Sequence, residues 1–240
     1  RRADGAAILA AAWRLAAETG ALAADWHGFS VLHTAAGRVA ALDLGFVPGP
    51  GAKGLDAMLG GGVDLLWLLG ADEFDMGRIG ASTFVVYQGH HGDSGAARAD
   101  VILPGAAYTE KTGTYANTEG RAQRAFAATL PPGEAREDWR ILRAASAVLG
   151  TALPYDTIDA LRARMESVAP ALGKIGYLPR FGCADAAGPA GDPDAVADSP
   201  IGAAFAEYHR TDAISRASPT MAACVAALSA PSAPPALAAE

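Results

Sequence analysis

Three apolar runs determine the fold of this chain: VDLLWLL at Val63–Leu69, TFVVY at Thr83–Tyr87 and DVIL at Asp100–Leu103. Turn residues bound them, with Gly70 after the first run and Pro104 after the third. Short apolar runs of this kind, separated by stretches of helical character, are typical of strands buried on both faces of a parallel sheet. Their alternation with helices predicts an α/β fold with parallel strands and flanking helices.

Helical patterns lie on both sides of these runs. Apolar residues at helical spacing, with glycine or proline at the ends, predict a helix in each case. The predicted helices are Ala6–Glu18, a short one at Leu55–Leu59, Glu134–Leu149, Asp156–Val168 with Asp156 as its N-cap, and a last one with Ser218 as N-cap and Pro219 at its first position, which buries Met221, Cys224, Val225 and Leu228.

Other segments are less regular. Phe29–His33 and Val39–Leu44, separated by Gly37, indicate short β-like pieces. Thr112–Ala125 is polar, and the turn residues from position 117 to 120 lie in its middle. This pattern predicts an extended loop or an irregular hairpin.

Composition divides the chain into three parts. We predict an α/β domain at residues 1–150, a helical extension at residues 151–175, and a linker with a C-terminal helix and a flexible tail at residues 176–240. Gly182–Pro200 is rich in Ala, Gly, Asp and Pro, which favours a linker, and the SAPPAL tail favours disorder. The chain opens with Arg-Arg-Ala-Asp and shows no secretory pattern, so we expect a fragment that is truncated on its N-terminal side.

Composition also excludes several classes of function. The chain has 240 residues, 51% of them hydrophobic, and a net charge of −7 without a basic stripe, so we expect no nucleic-acid partner. Its apolar runs are far shorter than the ~18 residues of a membrane-spanning helix, so we expect no direct membrane insertion. Cys183 and Cys224 are too few for a structural zinc or iron–sulfur cluster, which needs about four ligands, and we expect both to be reduced thiols.

The region from residue 84 to residue 150 contains a recognisable order of motifs. An apolar strand and a Gly-rich loop precede ADVILP at Ala99–Pro104, EKTG at Glu110–Gly113, NTEGRAQ at Asn117–Gln123, and a helix that contains Asp138 and Trp139. This order resembles the molybdopterin oxidoreductase superfamily. The resemblance implies an α/β domain of the molybdopterin-oxidoreductase type with a helical C-terminal extension.

A narrower resemblance is to the G-subunit family of respiratory NADH:quinone oxidoreductase (complex I), the family of its large peripheral-arm iron–sulfur subunit. The matching stretches are QGHHGD at Gln88–Asp93, PGAAYTEK at Pro104–Lys111, REDW at Arg136–Trp139, LPYDT at Leu153–Thr157 and TDAISRAS…MAAC at Thr211–Cys224. They follow the family's order over nearly the whole chain and are weakest in the linker.

The resemblance implies a place in a larger assembly. The parent subunit's 2Fe-2S and 4Fe-4S clusters belong to an N-terminal region whose motifs are absent here, so no cofactor is expected in this chain. The implied role is a scaffold that supports electron transfer from NADH to quinone. Implied partners are the other peripheral-arm subunits, on the cytoplasmic side of the bacterial inner membrane. The alternative is an oxidoreductase fragment that binds a molybdopterin or a nucleotide.

The loop GHHGDSG at Gly89–Gly95 suggests chemistry more than any other stretch, because open α/β sheets bind ligands after such strands. It lacks a Walker lysine and the G-x-G-x-x-G pattern. His90, His91 and Asp93 lack a metal-binding spacing, and adjacent side chains of extended backbone point to opposite faces. Ser94 lies in GDSG without the all-β pattern of a serine protease. We therefore assign no catalytic, cofactor-binding or metal-binding residue and expect a tight strand-to-helix turn.

Other polar and aromatic groups are expected to be structural. One polar stretch lies near the pterin in cofactor-bearing relatives, and its members are expected here to hydrogen-bond to one another: Asn117, Glu119, Arg121 and Gln123. Arg121 is expected to pair with Glu119 or Glu110. A solvated acidic loop is predicted at Asp72, Glu73 and Asp75, and Trp67 and Trp139 are predicted to be core residues.

Overall fold

The computed structural model describes residues 2–24, 26–178, 187–202 and 207–229. The chain divides into two compact units that are each discontinuous in sequence. Unit 1 comprises residues 1–52, 108–131 and 139–204, and unit 2 comprises residues 53–107, 132–138 and 205–240. The three-part division at residues 150 and 175 stays a prediction.

The described residues form short helices and strands. The helices are α1 (Gly5–Glu18), α2 (Arg38–Asp43), α3 (Leu55–Ala57), α4 (Ser94–Arg98), α5 (Asp138–Val148), α6 (Ile158–Val168), α7 (Ala213–Ala217) and α8 (Pro219–Ser229). The strands are β1 (Leu65–Leu69), β2 (Phe84–Gly89), β3 (Val101–Pro104), β4 (Gly113–Ala116) and β5 (Ala122–Ala125). Further helical turns lie at Met58–Gly62, Met76–Arg78 and Pro170–Gly173. In this part of the chain no helix has both the length and the apolarity that crossing a bilayer requires.

Unit 2 is built on the three apolar runs that the sequence identified. They form a parallel sheet in the order β1-β2-β3, with Leu68 beside Tyr87 and Tyr87 beside Ile102. This confirms the predicted α/β class. The core of the unit lies on one face of the sheet, where side chains from the strands pack against side chains of the neighbouring helical turns and loops. Its buried residues are Leu59, Leu68, Ile79, Val85 and Tyr87.

Unit 1 contains a hairpin where the sequence predicted a loop or an irregular hairpin. Strands β4 and β5 are antiparallel, and Ala116 lies opposite Ala122. These two alanines are buried with Ala169 and Leu172, and Met165 of α6 packs against them. Small side chains let the hairpin approach the end of α6 closely.

Several predictions of local structure are wrong. Val39–Leu44 is not a strand, because residues 38–43 form helix α2. Helix α5 begins at Asp138 rather than at residue 134, because the backbone of Arg136 is hydrogen-bonded to Pro104 and Ala106 beside the end of β3. Asp156 is not the N-cap of α6.

The side chain of Thr157 caps α6 instead. Its Oγ1 accepts a hydrogen bond from the backbone N–H of Ala160 at 3.1 Å. Asp156, one residue earlier, forms an ion pair with Arg143 at 2.9 Å. The cap is therefore the residue that directly precedes the first helical turn, as capping geometry requires.

The C-terminal helix starts as predicted, because α8 begins at Pro219 and the Ser218 hydroxyl accepts from the Met221 N–H at 3.3 Å. Its predicted burial is wrong, because none of Met221, Cys224, Val225 and Leu228 is buried. Leu228 is 71% exposed, and Cys224, a free thiol, is half-buried. Phe29–His33 forms neither helix nor strand, and the same holds for residues 187–200 of the predicted linker. Cys183, linker residues 182–186 and the SAPPAL tail lie outside the described residues.

Candidate functional site

The carboxyl edge of the unit 2 sheet is the candidate site. We define it as residues 70–75, which follow β1, together with residues 89–95, which follow β2. Open parallel sheets bind ligands at this position, because the loops there diverge and leave a crevice. The side chains that the loops and strand ends place there decide what the edge can do.

The side chain of Tyr87 fills the space under the loop at residues 89–95. Tyr87 is 3% exposed, and its hydroxyl donates a hydrogen bond to the backbone oxygen of His91 at 2.8 Å. A Cβ added at Gly95 would lie 2.8 Å from the Tyr87 ring, and one at Gly89 would lie 2.5 Å from its hydroxyl. Burial raises the pKa of Tyr87, and the nearby carboxylate of Asp72 raises it further. These glycines are therefore required by packing against a protein side chain.

The turn from β2 into α4 is held by local hydrogen bonds. The carboxylate of Asp93, at the N-cap of α4, accepts from the backbone N–H of Ser94 at 2.9 Å. The hydroxyl of Ser94 donates to the backbone oxygen of Asp72 at 3.2 Å. Ser94 is thus directed at a peptide carbonyl rather than at an imidazole, which is not the arrangement of an activated nucleophile.

His90 and His91 lie closer together than strand alternation predicts. Their Nδ1 atoms are 2.7 Å apart and their rings are nearly perpendicular, because the chain bends at these residues instead of continuing β2. In such a contact one Nδ1 donates and the other accepts, and the tautomers of the two rings set which is which. Across the described ranges, no group of three or more His, Cys, Asp or Glu side chains could hold a metal ion.

Gln88 is the penultimate residue of the central strand β2 and is fully buried. Its Oε1 accepts from the indole N–H of Trp67 at 3.2 Å. Its amide nitrogen donates to the carboxylate of Asp138 at 3.0 Å and to the backbone oxygen of Asp138 at 3.2 Å. Trp67 itself is half-buried. The Gln88 side chain, at the edge of the sheet where ligands bind in such folds, therefore connects β1, β2 and the first residue of α5.

The acidic loop after β1 is not solvated throughout, which corrects the sequence-based expectation. Glu73 and Asp75 are exposed, but Asp72 is 5% exposed. The reason is Arg216 of α7, whose guanidinium donates to the carboxylate of Asp72 and, at 2.6 Å, to the carboxylate of Asp93. Glu73 lies 3.9 Å away from the same guanidinium.

These contacts shift the pKa values of two of the partners in the direction expected of ion pairs. The hydrogen bond from Arg216 lowers the pKa of Asp93, and the backbone N–H of Ser94 adds to this effect. Burial lowers the pKa of Arg216, but the hydrogen bonds and charges of Asp93 and Asp72 outweigh burial and leave it raised. Asp93 and Arg216 are therefore both charged at neutral pH.

In unit 1, the polar stretch predicted to be structural is hydrogen-bonded within the protein. The side-chain oxygen of Asn117 accepts from the backbone N–H groups of Glu119 and Arg121, both at 3.0 Å. Arg121 pairs with Glu119 at 3.5 Å and donates to the backbone oxygen of Gly176 at 2.8 Å. Gln123 is exposed on β5. Neighbours within the hairpin and the segment after α6 thus provide partners for Asn117, Glu119 and Arg121.

Sequence reasoning did not identify the roles of Arg216 and Tyr87. Tyr87 ends an apolar run and Arg216 lies in the last family motif, but nothing in their spacing distinguishes a side chain that fills a ligand position from an ordinary surface or core residue. Trp139, predicted to be core, is half-buried, and the guanidinium of Arg140 lies 4.7 Å from the centre of its ring.

Comparison with known proteins gives two matches to family models. Residues 1–148 match the family described as molybdopterin oxidoreductase. Residues 180–224 match the family described as the C-terminal region of the NADH-ubiquinone oxidoreductase G-subunit. The two matches lie in the order that the motifs predicted, and they confirm the resemblance found in the sequence.

Curated relatives are similar over most of the chain. The 78 kDa subunit of NADH-ubiquinone oxidoreductase from Neurospora crassa is 46% identical over 86% of the chain. Iron-sulfur protein 1 of NADH dehydrogenase from Solanum tuberosum is 41% identical over 95%, and the 75 kDa subunit from Reclinomonas americana is 42% identical over 93%. The chain spans only 28%, 30% and 32%, respectively, of the length of these relatives.

Proposed function

Because this chain belongs to the molybdopterin oxidoreductase family, we propose that it is the C-terminal part of a complex I iron–sulfur subunit and serves there as a structural scaffold. The relatives are named as NADH-ubiquinone oxidoreductase subunits, and residues 180–224 match the C-terminal family of the G-subunit. The activity to which it contributes is electron transfer from NADH to quinone. This segment performs none of the redox steps itself.

The observation that supports a scaffold is the occupation of the carboxyl edge by the chain's own groups. Tyr87 fills the loop, Gln88 is hydrogen-bonded to neighbouring elements, and Arg216 occupies the acidic pocket of Asp72 and Asp93. A pterin or nucleotide carries phosphate, and a carboxylate-rich edge repels that charge. A ligand would have to displace the arginine and the tyrosine together.

The second supporting observation is a set of exposed apolar side chains on one face of the parallel sheet, around the buried Val86 and Gln88 of the same face. Side chains on the face opposite the core are apolar yet exposed: Leu65, Leu69, Phe84 and Val101. Parallel sheets are normally covered on both faces. We propose that residues of the parent subunit outside this chain cover these exposed side chains, since the relatives are much longer than the chain.

The wider assignments follow from the relatives. We propose that 2Fe-2S and 4Fe-4S clusters are held by the part of the parent subunit that precedes this chain. The partners are other peripheral-arm subunits, and the location is peripheral, on the cytoplasmic side of the bacterial inner membrane. Among the described residues no group is suited to hold a cluster.

Metal and pterin analysis of the complete subunit and of this chain tests the proposal. We expect iron and sulfide in the complete subunit, and neither metal nor pterin in the chain. Molybdenum, tungsten or an extractable pterin in the chain alone would contradict the scaffold role. They would support instead a cofactor-binding oxidoreductase fragment.

Substitution of an exposed apolar side chain on this face of the sheet tests the packing role. Phe84→Ser in the complete subunit is expected to reduce its incorporation into the assembled complex, because it removes apolar area from the face that is to be covered. Phe46→Ser is the matched control, since Phe46 is 81% exposed in unit 1 and lies outside this sheet. Equal incorporation of the two variants would show that the face has no partner.

A further inference from the structure

The C-terminal segment, which we define as residues 207–229, is attached to the rest of unit 2 by polar contacts rather than by a core. No residue of this segment is buried. Its apolar side chains are at most half-buried, as for Met221 and Val225, and Leu228 is 71% exposed. A segment with so little buried apolar area gains little from the hydrophobic effect and needs another source of attachment.

Arg216 supplies that attachment. Its side chain is 20% exposed. It reaches three carboxylates from the two loops of the carboxyl edge: Asp72, Glu73 and Asp93. Separate nitrogen atoms contact separate carboxylates, since Nε donates to Asp93 and Nη2 donates to Asp72. The fixed planar fork of a guanidinium suits this arrangement, and an ammonium group does not.

The position of Arg216 is itself fixed by its own segment. Asp212 caps α7 by accepting from the backbone N–H groups of Ile214 and Ser215, and the backbone of Ser215 lowers the pKa of Asp212. Arg210 donates to the backbone oxygen of Arg216 at 3.1 Å. The guanidinium is thus presented by a short capped helix instead of a free tail.

We propose that the carboxyl edge of this sheet is a guanidinium-binding site that Arg216 occupies within the same chain, and that this occupation holds the C-terminal segment on unit 2. The loops after β1 and β2 each supply a carboxylate in hydrogen-bond contact with the guanidinium. The Asp72 carboxylate is almost fully removed from water, and a carboxylate in that environment requires a cationic donor. This site is a property of the chain and does not depend on the respiratory role proposed above.

Hydrogen exchange of the full chain measures the attachment. In Arg216→Ala, backbone amides of α7 and α8 are expected to exchange about tenfold faster or more, because the segment opens without its anchor. Amides of the β4–β5 hairpin in unit 1 serve as the internal reference. Arg78→Ala is the matched control, since Arg78 also forms an ion pair in unit 2, with the well-exposed Asp56.

Two further variants keep the test valid if Arg216→Ala disturbs the sheet. Arg216→Lys retains the charge but not the fork, and Asp93→Asn removes one carboxylate whose side chain is 36% exposed. Both are expected to fall between the native chain and Arg216→Ala. Equal exchange in Arg216→Ala, Arg78→Ala and the native chain would overturn the proposal.

Chemical rescue tests the class of ligand. Millimolar methylguanidinium added to Arg216→Ala is expected to bind the vacated carboxylates and to slow the exchange of amides in residues 70–75 and 89–95. Tetramethylammonium at equal ionic strength is expected to have no such effect, because it has no N–H donors. Equal effects of the two cations would show that the carboxyl edge binds cations through charge alone and would refute a guanidinium site. Failure of rescue would also count against the guanidinium site, and it would leave the redox assignment of the parent subunit untouched.

Discussion

Replacement of Gln88 by methionine should destabilise unit 2 although it hardly changes the volume of the side chain. Gln88 is fully buried, and its amide makes three hydrogen bonds: one from Trp67 and two to Asp138. A buried polar group left without its partner costs about 1–3 kcal/mol. Trp67 and Asp138 are both half-buried, so water reaches part of each, and we expect a net loss of about 2–4 kcal/mol.

Urea unfolding followed by tryptophan fluorescence measures this loss, with an unchanged m-value as the sign that only stability has changed. Gln88→Glu should cost more, because it places a second carboxylate beside Asp138 and removes the donor. Gln123→Met is the control, since Gln123 is exposed on β5, and surface changes usually remain within about 0.5 kcal/mol. If Gln88→Met also remained within about 0.5 kcal/mol of the native chain, the hydrogen bonds of Gln88 would contribute nothing.

Three more substitutions probe the loops. Gly95→Ala should lower the free energy of unfolding in urea by about 1–3 kcal/mol, because its Cβ would lie 2.8 Å from the ring of Tyr87. Gly92→Ala is the control and should be nearly neutral, since a Cβ there would have nothing within 4 Å; equal losses of stability in the two variants would contradict tight packing under the loop. The pKa of Asp93 lies below its usual 3.8, so its ion pair with Arg216 stabilises the fold above that pH and weakens as the pH falls through the lowered value. Asp93→Asn should abolish this part of the pH dependence of hydrogen exchange in the C-terminal segment. An unchanged pH profile in the variant would refute this role of the ion pair. Asn117→Ala should lower the free energy of thermal unfolding by about 1–2 kcal/mol, because two hydrogen bonds of the turn are lost. Thr118→Ala, at an exposed position, is the control and should change stability little; similar values for both variants would show that the turn does not need the Asn117 side chain.

The sequence alone identified the parallel sheet and the family. Each strand is a short apolar run bounded by turn residues, and this local pattern is sufficient because strands buried in a parallel sheet select apolar residues at every position. The first helix was also found close to its observed bounds and the last helix at its observed start, since Gly20 and Pro219 mark a helix end and a helix start through backbone geometry. Such signals act within a few residues.

Val39–Leu44 shows where local signals fail. This segment was predicted to be a short β-like piece, but residues 38–43 form a helix, and Val39 packs against the unit 1 core with Ala40. A short apolar run is ambiguous between helix and strand, and the tertiary environment decides between them. The start of α5 was displaced for a related reason, because the backbone of Arg136 extends the edge of β3.

The content of the carboxyl edge was decided by tertiary structure alone. Asp72 and Arg216 are 144 positions apart in the chain, and Gln88 and Asp138 are 50 positions apart. An acidic stretch has the same local sequence whether water surrounds it or a distant arginine pairs with it. The sequence therefore predicted an exposed loop, whereas Asp72 is buried in the fold. The sequence determined which residues form the sheet and which family they belong to, because both are encoded in contiguous patterns. What occupies the ligand position of that sheet depends on contacts between segments that only folding brings together.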